Sequence, residues 1–321
     1  ADVPRAKEFA RAFVEAWEPP TRGEGHDAPL TTQALAALRA LGDDGLVAAF
    51  LSRAGKVGAL DEGERDAVAD AVAAFPADAA ARCAGSLAGE ATARRFEAGA
   101  ALLRRVADAR LDDAMRAPIT ALAEATVGWR DGGRWDRPTA QERVNGVVHL
   151  LRAAWRAGGS ALVLALTSGA MSDRAAFPVD AILVPVVLVL RKEEGAPTRD
   201  GLQPILDDIA AHLRARTALP LAPPKDAARE VDGLNCRCAD CKEFIEFLLS
   251  EKSLRWRFKA AQARRSHIES VAASAGVDVR MFTERGSNPL TLVCDKTAAR
   301  YEARVRQRAD DVAALQVIAA W

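Results

Sequence analysis

Apolar and polar positions recur along most of this chain with the period of an α-helix. "RAKEFARAFVEAW" (5–17) sets Phe9, Phe13 and Trp17 four residues apart, on one face of a helix. After a Pro-, Gly- and charge-rich loop at 19–29, Thr31 or Thr32 is placed to cap "QALAALRAL". Helical patterns then run through 44–54, 61–75 (stopped by Pro76), 89–109, and 112–127 with Pro118 inside it. A polar turn, "RDGGRWDRP" (130–138), precedes Thr139 and Glu142, which predict a capping box for "QERVNGVVHLLRAAWRA". Two apolar helices (160–171 and 177–190) and an amphipathic one (200–217) complete the series. Strand signals are almost missing before residue 218. Paired helices with short links fit a HEAT-like α-solenoid or an irregular bundle, acting as a scaffold.

The pattern changes at "ALPLAPPKDAAREVDG" (218–233), whose prolines predict a linker between domains. Beyond it, "KEFIEFLLSE" reads as a helix and "SLRWRFKAAQARRSHIESVAASAG" as mostly helix. "VDVRMFTE" alternates with period two, "RGSN" is a turn, and "PLTLVCDK" is a second strand, so a hairpin is expected. One long helix closes the chain. The predicted organisation is a mostly α protein: a helical scaffold at 1–217, a linker at 218–233, and a small zinc-stabilised α+β module at 234–321.

Composition removes several function classes. Of 321 residues, 50% are apolar and 27% charged, which supplies ample core for two domains. Lys plus Arg equals Asp plus Glu at 44 each, so no whole-protein field draws in nucleic acid or membrane. The longest apolar runs fall short of the ~20 residues needed to span a bilayer. No membrane association is expected. The chain opens on Ala1 in an amphipathic pattern, which fits a processed chain or, the leading expectation, a piece of a longer protein. No P-loop, G-x-G-x-x-G or G-x-S-x-G is present, and Cys83 in an Ala-rich helix reads as a small core residue.

The chain has five cysteines, and three of them, Cys236, Cys238 and Cys241, share one stretch, "NCRCADCKEF". That is no disulfide framework; it suits a metal site in a reducing, cytoplasmic compartment. Thiolates favour Zn²⁺, usually with four ligands in a tetrahedron. Three incidental cysteines are the bland alternative, and a redox C-x-x-C lacks its usual βαβ setting. His267 in "RRSHIES" is the leading fourth ligand, with Cys294 as runner-up. Four protein ligands close the shell, so such a zinc would be structural.

"CRCADCKEFIEFLLSE", "RRSHIES" and "VDVRMFTERGSNPLTLVCDKTAARYE" together resemble the C-terminal region of a family of large bacterial and fungal proteins. Those proteins carry a 2-oxoglutarate/Fe(II)-dependent, prolyl-hydroxylase-like oxygenase domain nearer their N-terminus. The matching positions are the three cysteines, Phe247, Leu248, Arg265, His267, Thr283, Arg285, Gly286, Ser287, Pro289, Thr291, Leu292, Val293 and Lys296; Asn288 is an insertion. "PP-x-D" at Pro223, Pro224 and Asp226 is also similar. The resemblance covers roughly 85 of 321 residues. It implies a non-catalytic C-terminal part. An Fe(II) triad needs His-x-Asp/Glu and a later His. The histidines are His26, His149, His212 and His267; only "HIE" (267–269) has the first form, and no His follows it. No Fe(II)/2-oxoglutarate site is expected.

From Lys242 to Arg308 there are 14 basic and 8 acidic residues. Arg255, Arg257, Lys259 and Arg264 interleave with aromatics, and Arg300, Arg304 and Arg308 share one helix face. These are candidate contacts for phosphate or an acidic partner, against the alternative of a solvated face with Arg stems on apolar surface. The leading expectation is a non-catalytic scaffold recruiting a protein partner or substrate, or serving an attached oxygenase domain. A zinc-containing nucleic-acid-binding protein is the alternative, and an enzyme with a site in the helical groove a third.

Overall fold

The computed structural model describes residues 3–17, 30–54, 62–89, 96–110, 113–127, 139–286 and 288–321. The loop expected at 19–29, with His26, and the turn at 130–138 lie outside them, as does Ser287. The chain divides into two compact units, Ala1–Arg214 with Ala314–Trp321, and Ala215–Ala313.

The first unit is helical: α1 (Val3–Ala16), α2 (Leu30–Ala40), α3 (Asp44–Ala54), α4 (Glu62–Ala73), α5 (Ala77–Gly89), α6 (Phe96–Arg110), α7 (Arg116–Val127), α8 (Ala140–Ser168), α9 (Val184–Leu190) and most of α10 (Arg199–Thr217). Alternate helices pack on one another. One row runs α1, α3, α5, α7, and the other α2, α4, α6, α8. Their apolar stripes meet in one core around Phe50, Phe96, Leu103, Ile119 and Leu151. The closing residues Ala314 and Ile318 join it.

Local chemistry sets several boundaries. Asp43 accepts from the Leu46 N–H at 3.2 Å and starts α3. The capping box forms as predicted: Thr139 Oγ1 accepts from Glu142 N at 3.2 Å, and Thr139 N donates to the Glu142 carboxylate at 2.6 Å. α2 begins at Leu30, one residue before the first of the two threonines expected to cap it; the side chains of Thr31 and Thr32 lie outside the description. In α1 the buried positions are Ala10 and Val14. Phe13 and Trp17 reach the Phe50 ring, whereas Phe9 is 76% exposed. The helices expected on either side of residues 158–159 run end to end as α8, with a break at Gly159, whose φ of 57° and ψ of −154° suit only glycine. The segment at 177–190 is a π turn, Val179–Leu183, leading into α9. The turn widens just before Pro185, which has no N–H to bond the carbonyl four residues back.

The second unit holds α11 (Ala239–Leu249), β1 (Arg255–Lys259), α12 (Gln262–Ala275), β2 (Val279–Glu284), β3 (Thr291–Lys296) and much of α13 (Ala299–Ala319). The predicted hairpin is β2 with β3, antiparallel, Met281 opposite Cys294. "RWRFK", expected to be helical, is instead a strand: β1 pairs with β3, giving the order β1-β3-β2. Its alternation explains this. Trp256 and Phe258 turn to the core while Arg255, Arg257 and Lys259 stay exposed. The segment 218–233 is built into this unit: Ala227 N donates to Glu251 O at 3.0 Å and Arg229 N to Leu248 O at 2.8 Å. Phe244, Leu248, Phe258, Ile268, Leu292 and Cys294 form its core.

Candidate metal centre

Cys236 and Cys238 lie in the turn before α11, and Cys241 is in the first turn of that helix. Cys238 is the N-cap: its Sγ accepts from Cys241 N at 3.4 Å. His267 sits in the middle of α12. Folding brings the four together, with all ligand atoms within 4.8 Å of one another. His267 Nε2 stands 3.4 Å from Cys236 Sγ, 3.5 Å from Cys238 Sγ and 3.3 Å from Cys241 Sγ. Zinc bonds of about 2.3 Å to sulfur and about 2.0–2.1 Å to nitrogen, at the tetrahedral angle, separate S from N by about 3.5–3.6 Å. The three measured distances lie close to that value, and they converge on the same ring nitrogen.

The local field suits thiolates unequally. The backbone N–H of Cys238, with smaller help from neighbouring thiols, holds Cys236 below the usual thiol range. Burial, followed by the other two cysteines, pushes Cys241 up to about 12. A bound cation removes that penalty, because it neutralises charge that the apolar surroundings cannot solvate. Cys241 is buried, Cys236 half-buried and Cys238 exposed. Beside the cluster, Arg264 forms a bidentate ion pair with Asp240. It ties α12, one turn before His267, to the residue preceding Cys241. Arg264 also lies over the Phe258 ring, 5.2 Å from its centroid.

Cys294 does not join the cluster. It is fully buried between Trp256 and Met281 on β3, and burial raises its thiol to about 12. Cys83 is likewise buried, with its thiol raised by desolvation.

The basic residues singled out in the sequence are mostly engaged within their own unit. Arg300 donates to Ala275 O (3.1 Å) and pairs with Glu230 (3.3 Å); Arg304 donates to Pro220 O (3.0 Å) and Arg308 to Leu219 O (3.3 Å). The face of α13 therefore binds the proline-rich segment. Arg255 pairs with Asp295 and Arg257 with Glu284, while Lys259 is exposed.

One polar cavity of about 460 Å³ lies in the first unit, lined by Arg65, Arg104, Arg105, Asp66, Asp108 and His149, among others. Arg104 Nη1 donates to His149 Nδ1 at 3.0 Å, so the ring proton sits on Nε2. Burial, then Arg104, lowers this imidazole to about 4. It carried no sequence signal, because its partners come from helices remote in the chain.

No family model, no curated protein and no solved structure matches this chain.

Proposed function

We propose that this chain is a non-catalytic scaffold that recruits a protein partner or substrate, with a structural zinc fastening its second unit. The observation that carries the reading is the convergence of three sulfurs on His267 Nε2 at 3.3, 3.4 and 3.5 Å. Four protein donors complete a tetrahedron and leave no place for water or substrate, so the metal would hold structure and do no chemistry. Cys236, Cys238, Cys241 and His267 would bind it, tying the turn before α11 to α12.

The scaffold reading draws on the two rows of alternately stacked helices, the way HEAT-like solenoid repeats bury their faces against neighbours. We assign the chain to the C-terminal part of a 2-oxoglutarate/Fe(II) oxygenase protein on its motif residues. Two of these meet in space: Arg265 Nη1 donates to Thr283 Oγ1 at 3.2 Å. A third, Lys296, is buried, donating to Ser250 O at 2.7 Å. The partner is then a protein, or an oxygenase domain elsewhere in a longer chain. Five free thiols suit a reducing cytoplasm. Among the described residues no helix is long and apolar enough to cross a membrane.

Elemental analysis of purified protein is expected to give one zinc per chain; its absence sinks the reading. Fe(II) and 2-oxoglutarate are expected to yield no succinate, and succinate release would show that the chain is catalytic.

A further inference from the structure

The outer face of the three-stranded sheet has no part in the metal centre. Antiparallel register sets three ranks across it: Arg255, Asp295, Arg280; then Arg257, Val293, Phe282; then Lys259, Thr291, Glu284. The inner face packs on α11 and α12 through Phe258, Leu292 and Cys294. On the outer face the side chains of Arg255, Arg257 and Arg280 are 53%, 55% and 73% exposed, and Phe282 is 39% exposed. Four cations stand against two carboxylates, so the face carries a surplus of positive charge. Asp295 accepts from Arg255 at 2.5 and 2.7 Å and lies 3.5 Å from Arg280; Glu284 holds Arg257. These pairs fix the guanidinium groups around the exposed ring. Arg280 lies 6.0 Å from the Phe282 ring centroid.

We propose that this face binds single-stranded nucleic acid, with a base stacked on Phe282 and phosphates against Arg255, Arg257, Lys259 and Arg280. Charge complementarity selects a polyanion. The exposed phenyl selects one whose bases are free to stack, which a duplex does not offer. In the middle strand Val293 and Thr291 are buried, so the accessible surface is the exposed flanking side chains of β1 and β2 with the Phe282 ring, which offers one stacking position. The α13 arginines lie outside this face: Arg300 bonds Ala275 O, Arg304 Pro220 O and Arg308 Leu219 O. The proposal goes beyond the scaffold reading and depends on neither the zinc nor the oxygenase assignment.

The test is fluorescence anisotropy of the full, metal-loaded chain with labelled oligo-dT and oligo-U, across a salt series. Binding of either at low salt, weakening as salt rises, is expected, with a duplex of equal length competing poorly. Phe282→Ala should weaken binding by roughly 5- to 150-fold, the loss of one stacked base. Arg280→Glu should lower the slope of log affinity against log salt by about 0.7 or more. Both residues are exposed, and circular dichroism with zinc content checks that the variants are folded. No salt-dependent binding, unchanged binding by folded Phe282→Ala, or equal binding of the duplex would each overturn the proposal.

Discussion

Cys241 and Cys238 do the same chemistry from different surroundings. Cys241 is buried in the first turn of α11, and its thiolate is tolerable only beside a cation. Cys238 is exposed and caps α11. Cys241→Ser should abolish metal binding and unfold the second unit. Cys238→Ser should also release zinc, yet its hydroxyl still caps the helix, so residual α11 helicity is expected to survive better. Metal titration and far-ultraviolet circular dichroism of the two variants separate the effects. At His149 the sign of a pH effect follows from its lowered value. Between about 4 and 6.5 the unfolded chain holds a proton that the folded chain lacks. Stability of the first unit should therefore fall as pH drops through that window, by about 1–3 kcal/mol from this group after allowance for its partial exposure. Arg104, Arg152 and Arg65 oppose its protonation, and Glu193 favours it. Denaturant midpoints at pH 7 and pH 4.5 should diverge more for the natural protein than for His149→Gln.

At the scale of elements, α8 carries two demands on glycine. Gly146 sits where α8 crosses α6, and an added Cβ would lie 2.4 Å from the Phe96 ring. Gly146→Ala should cost about 1–3 kcal/mol by overpacking. Gly159 meets nothing within 4 Å, but its φ of 57° is strained for any other residue. Gly159→Ala should cost a similar amount through the backbone alone. A compensating Phe96→Leu should rescue Gly146→Ala and leave Gly159→Ala unchanged in thermal melts, because only the first has a side chain that can make room. β1 shows how an element's type is decided. Its five residues alternate, and the rule for a strand was met within them. Adjacent helix-forming residues made the longer window look helical, while pairing to β3 and burial of Trp256 and Phe258 settled it as a strand.

For the whole molecule, two units with separate cores should give two thermal transitions. A strong chelator is expected to lower the one belonging to Ala215–Ala313 and leave the helical transition within a degree or two. If calorimetry shows both moving together, the metal does not act on the second unit alone. Within that unit the proline-rich segment is structural. It supplies backbone partners to Arg304, Arg308 and the end of α11, so the composition change at residue 218 marks the beginning of a packed layer where a free linker was expected.

The sequence by itself determined the helical character of the first unit, the capping box at Thr139, the β2–β3 hairpin and the three cysteine donors, with His267 and Cys294 as the two candidates for the fourth. Each rests on local period, short-range hydrogen bonding or the scarcity of a residue type, and these need no knowledge of the fold. Only tertiary structure decided the rest. It chose His267 over Cys294 by placing one 3.3–3.5 Å from three sulfurs and the other in the core. It also bound the α13 arginines to backbone carbonyls, left the Phe282 ring exposed, and set Arg104 beside His149. Such outcomes depend on which partners arrive from 25 to 89 residues away, and a chain's local pattern does not encode that distance.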